Sequence, residues 1–231
     1  MKLRAVLLAV LAMHIGASSA LAAQHVTFRT DDGVTLSGTF YEPSTRTGPA
    51  VILVHMLHRT QHDWDGLASA LASQGIGALA LDLRGHGESQ GTVGDDLSPL
   101  VGDVKAARRY LATRGDVTPG RIGILGASMG ANLAVLAAAD DTAVASLALL
   151  SPSLDYRGLR IEPAMRKYGS RPVLLVSSDE DAYASRSVRD LQKGGSRREV
   201  MRLSGAGHGT VMLQDAGLAG SLVDWFRRTL I

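Results

Sequence analysis

A serine between two glycines is the first feature that could do chemistry, in the segment Gly126-Ala127-Ser128-Met129-Gly130. Glycine permits the close backbone approach that a very sharp turn requires. A buried apolar run, Arg121–Leu125, leads into the segment, and an alanine-rich helical stretch follows it. The hydroxyl would thus stand at the carboxyl end of a strand and at a helix N-terminus, where the helix dipole favours developing negative charge. The pattern predicts that Ser128 is a nucleophile.

A histidine late in the chain is the candidate general base. A serine hydroxyl is a poor nucleophile until a base within hydrogen-bond reach takes its proton. His208 lies in the glycine-rich stretch Gly205–Gly209, directly after the last predicted strand. A loop at a strand end is where a catalytic imidazole would be delivered. We therefore expect His208 to activate Ser128.

Three acids follow another predicted strand and could orient this imidazole. The imidazole needs a carboxylate that fixes its tautomer and stabilises its charged form. The strand Pro172–Ser177 leads into a loop that contains Asp179, Glu180 and Asp181. Asp181 is favoured because a short turn must first leave the strand before a side chain can reach the imidazole. Asp179 is the main competitor, and Asp155, after the preceding strand, is the third candidate.

Alternating strand and helix patterns must position these residues. Continuous apolar runs of strand length indicate buried strands, and apolar residues at helical spacing indicate helices between them. The predicted strands are Val26–Arg29, Leu36–Tyr41, Ala50–His55, Ile76–Leu83, Arg121–Leu125, Ala145–Leu150, Pro172–Ser177 and Glu199–Leu203. The predicted helices include Asp63–Gln74, a helix that Ser98-Pro99 opens, Met129–Ala139, Glu162–Tyr168, Ser185–Lys193 and Leu213–Arg228. This alternation predicts one α/β domain, residues 23–231, with a mostly parallel eight-stranded sheet and helices on both faces.

Residues 1–22 have the layout of a secretory signal peptide. Lys2 and Arg4 precede the apolar run Ala5–Met13, and Ala20-Leu21-Ala22 matches a small-x-small cleavage site. The run is too short to span a bilayer core of about 30 Å. We therefore expect a periplasmic or secreted protein with no stable membrane insertion after cleavage.

Charge and composition exclude several partners and cofactors. The chain has 24 Lys and Arg against 22 Asp and Glu. Cleavage that removes Lys2 and Arg4 leaves the mature chain formally neutral. This neutrality argues against nucleic acid as a partner. The absence of cysteine excludes disulfides, thiolate nucleophiles and cysteine-ligated metals. His55, His58 and His62 lie close in sequence but lack zinc-site spacing. No metal or organic cofactor is expected, and the expected partner is a small-molecule acyl substrate.

Serine, aspartate and histidine in this chain order, each at a strand end, resemble the α/β-hydrolase superfamily over essentially the whole mature chain. Asp82–Ser89 is similar to the family's DxRGHGxS segment, which implies a structural role for His86. The resemblance implies an oxyanion hole whose first donor is the N–H of Met129. In the second loop Met56 stands where the family has glycine, so the second donor is Leu57 by register and Met56 otherwise.

The compact architecture is similar to that of the dienelactone-hydrolase-like and small esterase branches of this superfamily. Only Ser151–Arg171 is available for a cap, which is about one short helix, so an open site for small or exposed esters is expected. The leading interpretation is a secreted or periplasmic serine hydrolase that cleaves carboxylic esters through an acyl-enzyme. A thioesterase or peptidase with the same triad is the alternative. A catalytically silent binding protein is another, if Met56 blocks the oxyanion hole.

Overall fold

A computed structural model describes residues 23–231, and the expected signal peptide, residues 1–22, lies outside these described residues. Eight of the strands in this part of the chain form one sheet. In chain order the strands are β1 Ala23–Arg29, β2 Thr35–Tyr41, β3 Gly48–Val54, β4 Gly77–Leu81, β5 Val117–Ala127, β6 Val144–Leu150, β7 Asp155–Tyr156, β8 Leu159–Arg160, β9 Val173–Ser178 and β10 Arg198–Leu203. The short strands β7 and β8 pair with each other as a separate hairpin.

The order of the main sheet is β1-β2-β4-β3-β5-β6-β9-β10. β2 runs antiparallel to both of its neighbours, and the other neighbouring strands pair in parallel. Val54 at the end of β3 aligns with Gly126 near the end of β5. The carboxyl ends of the parallel strands therefore meet at one edge, where sheets of this kind carry their sites. The prediction of a mostly parallel eight-stranded sheet is confirmed.

Helices cover both faces of the sheet, as predicted. They are α1 Asp65–Ser73, α2 Pro99–Thr113, α3 Met129–Ala138, α4 Glu162–Tyr168, α5 Ala182–Gln192 and α6 Leu218–Leu230. Successive side chains point to opposite faces of a strand. Ala50, Ile52 and Val54 of β3 therefore pack in the core under α2 and α3. Val51 and Leu53 pack in the core on the other face, under α1 and α6. Among residues 23–231, no helix has the length and apolar character that crossing a bilayer requires.

The last helix begins later than the sequence pattern predicts. The pattern predicts a helix over Leu213–Arg228, but Gly209–Gln214 form a 3-10 helix and α6 starts only at Leu218. Asp215 explains the break, because its carboxylate accepts the N–H of Gly217 at 2.9 Å. Such a local side-chain bond to the backbone competes with helix continuation.

Asp63 does not cap a helix, which corrects the predicted start of α1. It lies inside a 3-10 turn, Gln61–Trp64, and α1 follows from Asp65. Its carboxylate accepts instead from the Arg59 guanidinium at 2.8 Å and from the Thr210 hydroxyl. These contacts tie the loop after β3 to the chain segment after β10.

The segment between β6 and β9 is as small as the sequence predicts. It contains α4 at its predicted residues and the β7–β8 hairpin, which the sequence pattern does not reveal. Asn132 of α3 holds this segment, since its amide donates to the carbonyl groups of Ser153 at 2.9 Å and Leu159 at 2.8 Å. Its side-chain oxygen accepts the N–H of Ser153 at 3.1 Å. Within residues 23–231, the segment between β6 and β9 is thus too short to form a large lid.

Candidate active site

Ser128 occupies a strained turn between β5 and α3. Its backbone has φ 51° and ψ −116°, a conformation that costs energy in a non-glycine residue and is typical of functional sites. The flanking glycines permit it: a Cβ at Gly126 would lie 2.2 Å from the Gly130 oxygen, and a Cβ at Gly130 would lie 2.3 Å from the Val54 oxygen. The N–H of Ser128 donates to the Leu150 oxygen at 2.8 Å. The turn is thus fixed by packing on both sides.

His208 lies within reach of this serine. Its Nε2 is 2.8 Å from the Ser128 Oγ, a normal hydrogen-bond distance. The loop that carries it turns sharply at Gly205, Gly207 and Gly209, which have φ of 68°, 77° and 60°. Side chains other than glycine rarely adopt such angles, so the glycine-rich stretch has a direct conformational role. The structure brings the predicted base and nucleophile together.

Asp181 contacts the other ring nitrogen of His208. Its Oδ2 is 2.5 Å from Nδ1, and its Oδ1 accepts the Ala184 N–H at 3.0 Å, which caps α5. Burial raises the pKa of the Asp181 carboxyl, but the bonds from Ala184 and His208 outweigh burial, and the pKa falls below its usual value. An ionised carboxylate only accepts hydrogen bonds. Nδ1 therefore carries the proton, and Nε2 is free to accept the hydroxyl of Ser128.

The competing acids serve other contacts. Asp179 accepts the Ser204 hydroxyl at 2.5 Å and the Gly205 N–H at 3.2 Å. Glu180 accepts the Gly207 N–H at 3.2 Å, so both acids brace the loop that carries the imidazole. Asp155 pairs with Arg160 at 2.9 Å across the β7–β8 hairpin. Of the three acids considered from the sequence, the structure places Asp181 on the histidine.

The two loops that could supply an oxyanion hole lie beside the serine turn. Met129 is the first residue of α3, so its N–H has no acceptor within the helix. Among residues 23–231, the N–H groups of Met56 and Leu57 also have no acceptor. The Met56 carbonyl accepts from the His55 ring at 2.8 Å and from the Arg59 N–H at 3.2 Å. Because a peptide unit is planar and trans, these bonds also fix the direction of the Leu57 N–H.

Met56 and Gly209 fit each other. A Cβ at Gly209 would lie only 2.5 Å from the Met56 sulfur. The Met56 side chain therefore fills the space that any larger residue after His208 would need. This packing was not apparent from the sequence, because the two residues are far apart along the chain.

Comparison with known proteins identifies the family. The family model described as serine aminopeptidase, S33, a hydrolase family, matches residues 45–186. The chain belongs to this family of α/β-hydrolases. An uncharacterized protein of Mycobacterium tuberculosis is 30% identical over 235 residues, which cover 93% of this chain and 82% of that protein. A polyketide transferase of Stachybotrys chlorohalonatus is 31% identical over 68% of this chain and 58% of its own length.

Solved structures share the fold of this α/β-hydrolase. An esterase of Pyrococcus furiosus superposes with a TM-score of 0.75 at 17% identity, covering 91% of this chain and 92% of the esterase. A dienelactone hydrolase of Anabaena variabilis superposes with a TM-score of 0.74 at 19% identity, covering 92% of this chain and 100% of that chain. At this level of identity the likeness establishes the architecture, and the chemistry must be argued from the site.

The histidines near the site of this α/β-hydrolase do not gather around a metal. His55 is fully buried; its Nε2 accepts the Leu83 N–H at 3.0 Å, and burial lowers its pKa to about 4. His86 accepts the His58 N–H at 3.4 Å. His62 lies beside Asp65 at 3.2 Å. Within the described residues, no three metal-ligating side chains converge.

Leu57 and His58, in the loop after β3, help to line an open groove of about 580 Å³. Arg157 of the β7–β8 hairpin and the loop that contains Val93 and Asp95 also line this groove. The side chains of Arg157 and Asp95 are exposed. The groove offers room for part of a small substrate beside Leu57.

Proposed function

We propose that this α/β-hydrolase is an exported serine hydrolase that cleaves carboxylic esters through an acyl-enzyme. The contact chain from Ser128 Oγ to His208 Nε2 at 2.8 Å, and from His208 Nδ1 to Asp181 at 2.5 Å, carries the proposal. These three side chains come from loops after three different strands, and only the fold brings them together. Their order of contacts is the one that nucleophilic acyl transfer requires.

Acylation begins at the serine hydroxyl. His208 takes the proton of Ser128 as Oγ attacks the ester carbonyl carbon, and the carbonyl electron pair moves to oxygen. The N–H of Met129 and the N–H of Leu57 hold this oxyanion, each contributing about 10²–10³ in rate. The carbonyl then re-forms, the bond to the alcohol oxygen breaks, and His208 gives its proton to the leaving alcohol.

Deacylation uses the same groups with water as the nucleophile. His208 takes a proton from water as the water oxygen attacks the acyl carbon, and then returns that proton to Ser128 as the carboxylic acid leaves. Asp181 stabilises the imidazolium in both half-reactions. Its lowered pKa keeps it ionised at neutral pH, so it can perform this role.

Labelling with a fluorophosphonate tests the proposal directly. We expect the folded protein, residues 23–231, to lose activity towards p-nitrophenyl esters as one equivalent of label attaches to Ser128, as located by peptide mass spectrometry. Ser128→Ala is expected to remove both labelling and turnover. Ser153→Ala is the matched control, since this buried hydroxyl has no hydrogen-bond partner among the described residues. Absence of label on a folded protein would refute the enzyme proposal and favour a silent binding protein.

Thioester hydrolysis is the second candidate. One relative is named a thiohydrolase, from Arthrinium phaeospermum, and is 31% identical over 139 residues, which cover 56% of this chain and 43% of that protein. The same triad serves either leaving group. Comparing kcat/KM for a p-nitrophenyl ester and for a thioester with the same acyl group decides between the two activities. A faster thioester reaction would reassign the substrate while leaving the triad intact.

Export rests on the layout of residues 1–22 alone. We propose cleavage after Ala22, which gives a mature chain that begins at Ala23 and acts in the periplasm or outside the cell. N-terminal sequencing of protein from the periplasmic fraction checks this. Recovery of a chain that still begins at Met1 would contradict the cleavage site.

A further inference from the structure

Ser151 stands at the centre of the site although its side chain belongs to no proposed catalytic step. It directly follows β6 and is buried, with 2% of its surface exposed. Its φ of 50° is one of four positive values among the non-glycine residues that the structure describes, and Ser128 has another. Its N–H donates to the Val176 oxygen at 2.9 Å. The backbone is therefore held in a strained conformation.

The Ser151 hydroxyl binds the loop that carries His208. Its oxygen accepts the N–H of Gly209, the residue after His208, at 3.1 Å. The hydroxyl also lies near the Asp181 carboxyl and contributes to the lowering of its pKa. Because the oxygen receives the Gly209 N–H through a lone pair, the hydroxyl proton is free to point towards Asp181. One buried hydroxyl thus anchors the loop of the base beside the acid.

We propose that Ser151 is a positioning residue that holds His208 in place against Asp181 and Ser128. The inference rests on the proposed function of the triad. His208 lies on a loop with three positive-φ glycines, and half of its side chain is exposed, so the loop needs an anchor. The hydrogen bond from the Gly209 N–H to the Ser151 hydroxyl oxygen is that anchor. Without the hydroxyl, the imidazole loses its fixed place against both Asp181 and Ser128.

Ser151→Gly tests this role without forcing the backbone. Glycine adopts a φ of 50° without steric cost, so the variant loses only the hydroxymethyl group. We expect kcat per fluorophosphonate-titrated site to fall at least tenfold with KM within twofold of the wild-type value, because a small misplacement of a catalytic group lowers the rate steeply. Ser151→Cys keeps a side chain of similar shape that forms weaker hydrogen bonds. Its kcat is therefore expected to lie between that of Ser151→Gly and that of the wild type. Ser153→Ala is the control that keeps the wild-type kcat.

A second measurement does not depend on turnover. The proton on His208 Nδ1 should give a low-field NMR resonance, because it lies in a short bond of 2.5 Å to Asp181. We expect this resonance to shift or broaden in Ser151→Gly and to stay unchanged in Ser153→Ala. An unchanged resonance in Ser151→Gly, or a kcat per site within twofold of wild type, would overturn the positioning role. If the wild-type protein fails to label, the proposed function fails, and the resonance still reports separately on Ser151.

Discussion

Replacing Asp181 by asparagine is the sharpest perturbation of the proposed triad. The amide oxygen of the variant can still accept the Ala184 N–H, now bound to Oδ1 at 3.0 Å, so α5 keeps its cap. The amide NH₂ cannot accept a proton from His208. The ring then takes the other tautomer, with Nδ1 accepting from the amide and the Nε2 proton directed at Ser128. In that form the imidazole is no longer a base for the serine.

The size of the loss follows from the geometry. The transition state contains an imidazolium whose charge lies about 4 Å from that of the carboxylate, an interaction of about 4 kcal/mol at an effective dielectric of about 20. Loss of this interaction lowers the rate about 10³-fold. The unfavourable tautomer of His208 lowers the rate further. Replacing the triad aspartate by asparagine in another serine hydrolase lowers kcat by about 10⁴. We therefore expect Asp181→Asn to reduce kcat by about 10³–10⁴.

Asp179→Asn is the matched comparison, two residues away in the same loop. Its carboxylate accepts from Ser204 and Gly205 and does not reach the imidazole. We expect less than a tenfold loss of kcat, because only the bracing of the loop is weakened. The assay is kcat per titrated site with a p-nitrophenyl ester, on variants whose thermal unfolding shows that they are folded. An equal or larger loss in Asp179→Asn would refute the assignment of Asp181.

Three further predictions concern groups around the triad. Gly209→Ala is expected to lower kcat at least tenfold, because the new Cβ would lie 2.5 Å from the Met56 sulfur and the residue would have a φ of 60°. Adding Met56→Gly removes the clash and should restore part of the lost activity. Burial lowers the pKa of His55 to about 4, whereas in the unfolded chain it is about 6.5. Because the native state then binds fewer protons than the unfolded state between these values, the free energy of unfolding should be highest above pH 6.5 and should fall by about 3 kcal/mol towards pH 4. Urea denaturation at a series of pH values measures this change. Arg84→Met should lower the free energy of unfolding by about 3–5 kcal/mol, since it leaves the fully buried Asp103 carboxylate without its charged partner.

Each of these predictions has a control on the same chain. Gly220→Ala adds a Cβ that meets nothing within 4 Å, so it should keep full activity. His55→Gln should flatten the pH dependence of stability between pH 4 and 6.5, and an unchanged slope would contradict the assignment to this histidine. Arg228→Gln breaks an exposed pair with Glu199 and should cost no more than about 1 kcal/mol. If Arg84→Met lowered the free energy of unfolding by no more than this, the inference that burial makes the loss of the Arg84–Asp103 pair costly would be wrong.

The sheet and the places of Ser128, Asp181 and His208 along it could be predicted because they depend on local patterns. The predicted strands Arg121–Leu125 and Pro172–Ser177 are largely apolar, and Ser128, Asp181 and His208 each follow a predicted strand closely. Choosing Asp181 over Asp179 required only the length of the turn after β9. Local spacing therefore carries most of the information about the site.

The remaining contacts depend on residues that only the fold brings together. The β7–β8 hairpin has strands of two residues each, too short for a recognisable alternation, and it is held from α3 by Asn132. Ser151 cannot be distinguished from Ser153 by its sequence context, yet only Ser151 meets Gly209. The 3-10 helix at Gly209–Gln214 lies mostly before the predicted helix and contains Thr210, whose hydroxyl donates to the distant Asp63.

The packing of Met56 bears on whether the site can work at all. A side chain in place of glycine could fill the oxyanion hole, which is the basis of the alternative that the protein is a silent binding protein. Met56 is instead directed at Gly209, where the missing Cβ leaves the space that the thioether sulfur occupies. Its carbonyl is held by the His55 ring and the Arg59 N–H, and these bonds fix the direction of the Leu57 N–H in the same peptide unit. Within the part of the chain that the structure describes, this N–H has no acceptor. The methionine therefore braces the His208 loop, and the departure from the family pattern is compatible with two oxyanion donors, Met129 and Leu57.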